Sequence, residues 1–161
     1  MSDINSDENF ENLLIIGGGG HARVISDIAQ NCGYNIVGFV DPYVCSNNIE
    51  GKPVFKDLRV LSPGNYKVVV GIGDNSLRKE LALDVLKYNT GDFNFKFATL
   101  VHPAATLAKS VRVGVGTVVM PGAVINTGTV IGNHVIVNTM ASIDHDCIIG
   151  DFSTVAPGAV L

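Results

Sequence analysis

The sequence is poor in charge. Of its 161 residues only 16% are Asp, Glu, Lys or Arg, while 47% are hydrophobic. That balance excludes a disordered chain and implies a well-buried globular protein of one domain or two small ones. Lysine and arginine form no cluster, and a net charge of -4 leaves no basic footprint for nucleic acid. Long apolar runs are missing too; none approaches the roughly 18 residues that a membrane-spanning helix needs. Cysteine is scarce: Cys32, Cys45 and Cys147 are widely spaced, odd in number and without any Cys-x-x-Cys. This argues against a disulfide framework and suits a reducing cytosol. Residues 1–11 are polar and acidic, unlike a secretory signal or a transit peptide, and are expected to form a tail on a cytoplasmic protein.

What is abundant is a period. From Ala105 to Leu161 the chain divides into blocks of six without insertion or deletion, and the third residue of each block is Leu107, Val113, Val119, Ile125, Ile131, Val137, Ile143, Ile149, Val155 and Leu161, all aliphatic. A hexad with one inward aliphatic and turn residues elsewhere predicts a parallel β-helix. Three blocks close one triangular coil of 18 residues, so Leu107, Ile125, Ile143 and Leu161 should stack, as should Val119, Val137 and Val155. Pro121-Gly122 and Pro157-Gly158 should share a corner.

The preceding part reads differently. Asn12–Ile16 is a fully buried strand that empties into Gly17-Gly18-Gly19-Gly20-His21. A helical face of Ala22, Val24, Ile25, Ile28 and Ala29 follows and ends near Cys32-Gly33, and a second strand over 35–40 ends at Asp41-Pro42. Strand, glycine turn, helix and strand make a βαβ unit with a parallel sheet. Gly17, Gly19 and Ala22 fit Gly-x-Gly-x-x-Ala, and Asp41 lies about 20 residues on, the dinucleotide fingerprint. Such glycines let the backbone approach a phosphate at a helix N-terminus. A tight turn with no ligand satisfies the same pattern, and the fingerprint does not separate a nicotinamide cofactor from a nucleotide sugar. A short strand over 53–55, a strand over 66–72 emptying into Gly73-Asp74-Asn75-Ser76, a helical stripe of Leu77, Leu81, Val85 and Tyr88, and a last strand reaching Leu100-Val101 complete the half. The turns after the strong strands share one edge, where ligands of open α/β sheets bind. About 90 residues make only half a dinucleotide fold, which favours a mononucleotide-sized ligand. The expected domains are 12–101 and 102–161.

Together the two halves resemble one family, the sugar O- and N-acetyltransferases related to sialic acid O-acetyltransferase and the bacillosamine-pathway acetyltransferase. The landmarks are Ile16 to His21, Phe39-Val40-Asp41-Pro42, Gly71-Ile72-Gly73-Asp74-Asn75, Val101-His102-Pro103, Val137-Asn138-Thr139 and Ile143 to Phe152. The resemblance implies a Rossmann-like parallel sheet followed by a short left-handed β-helix. It implies a homotrimer with active sites between subunits, and acetyl-CoA as co-substrate with no metal. His145 would be the general base and Asp146, where the pattern usually has glutamate, would orient it. Gly17, Gly18, Gly19, His21, Asp41, Gly73, Asn75 and Asn138 would hold the nucleotide-linked sugar, and Thr154 and Gly158 the coenzyme. Outside that pattern His145 reads as a polar corner residue, His102 as the entry to the coil and Cys147 as a packed small residue, and His134 reads as readily as a solvated corner. Two departures stand out. Thr154 replaces a frequent histidine, and the coil has 57 residues from Ala105, where family members usually continue for several coils. An incomplete coenzyme A surface is therefore expected, from a divided gene, a cut chain or a role reduced to binding sugar nucleotides.

Overall fold

The computed structural model describes residues 11–62, 64–91 and 93–161; all of the expected tail except Glu11 lies outside them. Strand β1 (Glu11–Ile16) lies inside a six-stranded sheet. Its apolar run is buried on both faces, as a central parallel strand requires. On one face Leu13 and Ile15 pack with Ala22, Ile25, Ile28 and Ala29 of helix α1 (Gly20–Asn31). On the other, Leu14 and Ile16 pack with Ala82 and Val85 of helix α2 (Asn75–Lys87). Beside β1 run β2 (Tyr34–Val40), β4 (Lys52–Phe55), β5 (Gly64–Val70) and β6 (Phe93–Phe97). All are parallel, in the order β4-β2-β1-β5-β6, and β3 (Asn48–Ile49) adds an antiparallel edge to β4.

The stripe expected of α2 is only partly its buried face: Val85 is core, and Leu81 and Tyr88 pack against that core. Arg78, Ala82 and Val85 form its buried face, while Leu77 is 42% exposed. Leu77, Leu81, Val85 and Tyr88 also wall a cleft at the carboxyl edge of the sheet.

The coil begins two residues earlier than the expected boundary. Leu100–Val101 (β7) pairs in parallel with Val118–Val119 (β10), the first step of an 18-residue register. Strands Ile136–Val137 (β13) and Thr154–Val155 (β16) continue that face. Thr106–Leu107, Val124–Ile125 and Ser142–Ile143 (β8, β11, β14) form the second. Arg112–Val113, Val130–Ile131 and Ile148–Ile149 (β9, β12, β15) form the third. The stacks expected from the hexads are these ladders. Val119, Ile125, Ile131, Val137 and Ile143 fill the interior with at most 2% exposure; Leu161 is 51% exposed. Inside, Thr117 and Thr129 satisfy buried hydroxyls on the carbonyls of Gly132 and Asp144 at 2.7 and 2.8 Å.

Every sixth residue from Gly116 to Gly158 turns a corner in the left-handed region, including His134, Met140, Asp146 and Phe152. The first corner column carries Ala104, Gly122, Met140 and Gly158, tied by Gly122 N–H to Ala104 O and Gly158 N–H to Thr139 O. The second carries Ser110, Gly128 and Asp146, and the third Gly116, His134 and Phe152. Outward residues of the first face, Leu100, Val118, Met120 and Ile136, join the α1 core, so the two halves share apolar packing rather than a linker. No helix among the described residues is long and apolar enough to cross a membrane.

Candidate active site

The glycine turn leaves β1 at Gly17, whose φ is +111°; a Cβ there would fall 2.8 Å from Ile72 Cδ1. The next residue, Gly18, donates its N–H to Asp41 Oδ2 at 2.9 Å, while Oδ1 accepts from Tyr43 and Val44 N–H at 2.8 and 3.2 Å. Asp41 therefore pins the turn after β1 to the turn after β2. Gly19 and Gly20 face open space. No side chain caps α1 at Gly19, so its first N–H groups remain available to an anion.

Next to this turn opens a cleft of about 240 Å3. Ile16, Val40, Leu58, Ile72 and Leu81 are among its apolar lining, with Asp41, Tyr43, Lys56, Asp57 and Asp84 as polar groups. An apolar slot with few polar groups fits a flat ring and a sugar.

The sheet and coil meet at the third corner column, around a residue that sequence reasoning passed over. Arg78 is 1% exposed and sends Nε–H to His134 O (2.9 Å) and Nη1 to Ile72 O and Gly73 O (3.1 and 3.0 Å). Its Nη2 reaches Asn75 Oδ1 and Phe152 O, both at 2.7 Å, and Ser153 O and Thr154 Oγ1, both at 3.2 Å. Thr154 Oγ1 donates to Asn75 Oδ1 at 2.7 Å. The coil partners lie 56 to 76 residues away in sequence, so no local spacing signals them.

Around Arg78 stand two histidines. His134 is not the solvated corner expected: it is 8% exposed, with Phe152 stacked at 5.0 Å and Phe97 edge-on at 4.5 Å. Gly116 is required beneath it, since a Cβ would sit 2.4 Å from His134 Nδ1. His21, at the start of α1, lies 4.0 Å from the Cβ position of Gly73, and its Nε2 is buried without a hydrogen-bond partner. Burial first, and the Arg78 cation second, hold both imidazoles below the ordinary value of 6.5.

His145 has the opposite environment. It stands in solvent on the second corner column, its Nδ1 2.8 Å from Asp146 Oδ2. Asp146 turns the corner at φ +58°, which aims its carboxylate back at the ring. The Asp146 hydrogen bond first, then the charges of Asp144 and Asp146, raise His145 above 6.5. Asn138 and Gly158 occupy the first column; Asn138 Oδ1 accepts from Thr139 N–H at 2.8 Å.

The expected site residues thus fall into separate groups. Gly17, Gly18, Gly19, His21, Asp41, Gly73 and Asn75 share the carboxyl edge of the sheet, and Thr154 joins them through Asn75 and Arg78. His145 and Asp146, and separately Asn138 and Gly158, look out from other corners, and among the described residues no hydrogen bond links them to the sheet.

Comparison with known proteins bears on this arrangement. Residues 12–85 match the PglD N-terminal domain family. The acetyltransferase domain of PglB from Neisseria gonorrhoeae FA1090, solved with acetyl coenzyme A, is 35% identical, with a TM-score of 0.82 over 94% of this chain and 73% of that one. The chain belongs to the sugar acetyltransferase family of hexapeptide-repeat transferases. Within it, the GDP-perosamine N-acetyltransferase of Escherichia coli O157:H7 is 29% identical over 154 residues, 90% of this chain and 67% of that protein. The UDP-N-acetylbacillosamine N-acetyltransferase of Bacillus subtilis (strain 168) is 34% identical over 117 residues, 68% of this chain and 51% of that protein. This family member therefore spans about two thirds and one half of the two curated relatives.

Proposed function

We propose that the chain transfers an acetyl group from acetyl-CoA to an amino or hydroxyl group of a nucleotide-linked sugar in the synthesis of a surface glycan. The observation that carries this reading is the His145–Asp146 pair, a basic imidazole held at 2.8 Å by a carboxylate and open to solvent. In its neutral form His145 takes the proton as the sugar nitrogen or oxygen attacks the thioester carbonyl. The new acyl bond forms as the carbon–sulfur bond breaks, and the proton passes on to the departing thiolate. Asp146 fixes the ring and stabilises the imidazolium.

The nucleotide part is assigned to Gly17, Gly18, Gly19, His21, Asp41, Gly73 and Asn75, with phosphates at the open start of α1 and the base in the apolar cleft. Asn138 is assigned to the acceptor sugar and Gly158 to the coenzyme side; Thr154, expected on the coenzyme side, hydrogen-bonds Asn75 at the nucleotide edge. His145 and Asn138 stand on corners that no hydrogen bond among the described residues joins to the nucleotide edge. The reading therefore includes a cytoplasmic homotrimer, in which His145 of one copy completes the nucleotide site of the next. Division of labour follows the halves: 12–101 for the sugar nucleotide, 102–161 for acetyl transfer.

Incubation with acetyl-CoA and either GDP-perosamine or a UDP-linked 4-amino sugar should release free thiol, and His145→Ala should abolish the release. Calorimetric binding of the sugar nucleotide with no detectable acetyl-CoA binding would instead favour a non-catalytic binding module.

A further inference from the structure

Arg78 is an odd residue to bury between two domains. No carboxylate forms an ion pair with it among the described residues; carbonyl and side-chain oxygens alone receive its guanidinium. An apolar side chain of similar volume would hold a joint at least as well, since burying a charge costs solvation. What an apolar residue could not do is set the direction of its neighbours' hydrogen bonds.

We propose that Arg78 is a positioning residue for acetyl transfer, which acts through Asn75 and Thr154 to present the Asn75 side-chain N–H groups to the nucleotide-linked sugar. The proposal rests on the transferase reading above and adds a residue to it. Guanidinium groups only donate, so the Asn75 atom 2.7 Å from Arg78 Nη2 must be the amide oxygen. Thr154 Oγ1 lies 2.7 Å from the same amide oxygen, which has no proton to give, so the hydroxyl must donate to it. The two Nη2 hydrogens go to Asn75 Oδ1 and Phe152 O, both at 2.7 Å, and the Thr154 hydroxyl gives the amide oxygen its second donor. Asn75 Oδ1 is thereby held by two donors, and Nδ2 is left to point away from them. Asn75 is exposed, and its Nδ2 makes no hydrogen bond among the described residues. It stands at the start of α2, on the same edge of the sheet as the glycine turn and His21. An oriented donor pair at that place suits an acceptor oxygen of the diphosphate or the sugar. On this account Thr154 acts on the sugar-nucleotide side, through Asn75, rather than on the coenzyme.

The test compares Thr154→Val, Asn75→Ala, the double variant and Arg78→Lys, with kcat, separate KM values for acetyl-CoA and for GDP-perosamine or the UDP-linked 4-amino sugar, and the melting temperature. Thr154→Val and Asn75→Ala should each raise the sugar-nucleotide KM about three- to tenfold, the factor one hydrogen bond supplies, and leave the acetyl-CoA KM and the melting temperature unchanged. Because both act through one amide, the double variant should be no worse than Asn75→Ala alone. Arg78→Lys, which keeps the charge but not the fork, should show the same rise together with a lower melting temperature. An unchanged sugar-nucleotide KM in Thr154→Val, a rise confined to acetyl-CoA, or additive effects in the double variant would each overturn the proposal. Absence of acetyl transfer by the unaltered chain would sink the transferase reading instead; titration with the same sugar nucleotide would then show whether Thr154→Val weakens binding through Asn75.

Discussion

His145 and Asp146 occupy the fifth and sixth places of one hexad, and the corner geometry of the sixth place points the carboxylate at the imidazole. If His145 is the proposed base, its upward shift under Asp146 means that it must lose its proton at a higher pH than a free imidazole before it can act. The rate limb in kcat/KM should therefore rise with pH and have its midpoint above 6.5. Asp146→Asn should move that midpoint down, since asparagine tolerates the left-handed corner but removes the charge and weakens the hydrogen bond. A pH–rate profile of both proteins measures the difference; coincident midpoints would refute the pairing. His145→Ala should lower kcat by about 10²- to 10⁴-fold. As its side chain is 65% exposed, the melting temperature should not change.

At the scale of the element, the hexad divides its residues by place. Third positions fill the coil, and Ile143→Ala, at a fully buried site, should destabilise by about 2–4 kcal/mol in urea denaturation. Sixth positions carry the corners, and two glycines there separate backbone strain from steric conflict. Gly158→Ala meets nothing within 4 Å and should cost only the left-handed backbone, about 1 kcal/mol. Gly116→Ala must also displace the His134 ring, 2.4 Å away, and should cost about 1–3 kcal/mol more in the same measurement. In α2 the apolar stripe and the buried face share Val85 only: Leu77 and Leu81 wall the cleft, and Arg78 turns to the coil.

The joint between the halves makes a prediction for the whole molecule. His21 and His134 are both depressed below 6.5, so the unfolded chain binds protons that the folded chain refuses. The stabilisation is present above 6.5 and is lost as pH falls from there through the folded-state values. Denaturation midpoints measured from about pH 7 to pH 5 should therefore decline, and replacing both histidines by Asn should flatten the decline. A slope unaltered by that double substitution would show that the joint does not cause it. Sedimentation should show three copies, and activity should fall on dilution into monomers.

Most of the fold was legible because periods are local. Ten aliphatic third positions specify the coil, its 18-residue register and its stacked corners, and the strand–glycine–helix pattern specifies a parallel sheet with its ligand edge. The His145–Asp146 pair was legible for the same reason, being adjacent in sequence. Leu100–Val101 reads as an apolar strand whichever sheet it joins, and only pairing with Val118–Val119 puts it on the first face of the coil. His134 looked solvated because its shelter comes from Phe97 and Phe152, one on the sheet and one on the next coil. Arg78 gave no signal at all, since its coil partners are gathered from segments 56 to 76 residues away. The sequence by itself determined the elements, their repeat and the chemical groups they carry, because these follow from spacing along one chain. The tertiary structure alone decided which distant groups meet, because a buried cation takes its oxygens from whatever the packing of sheet on coil brings within reach.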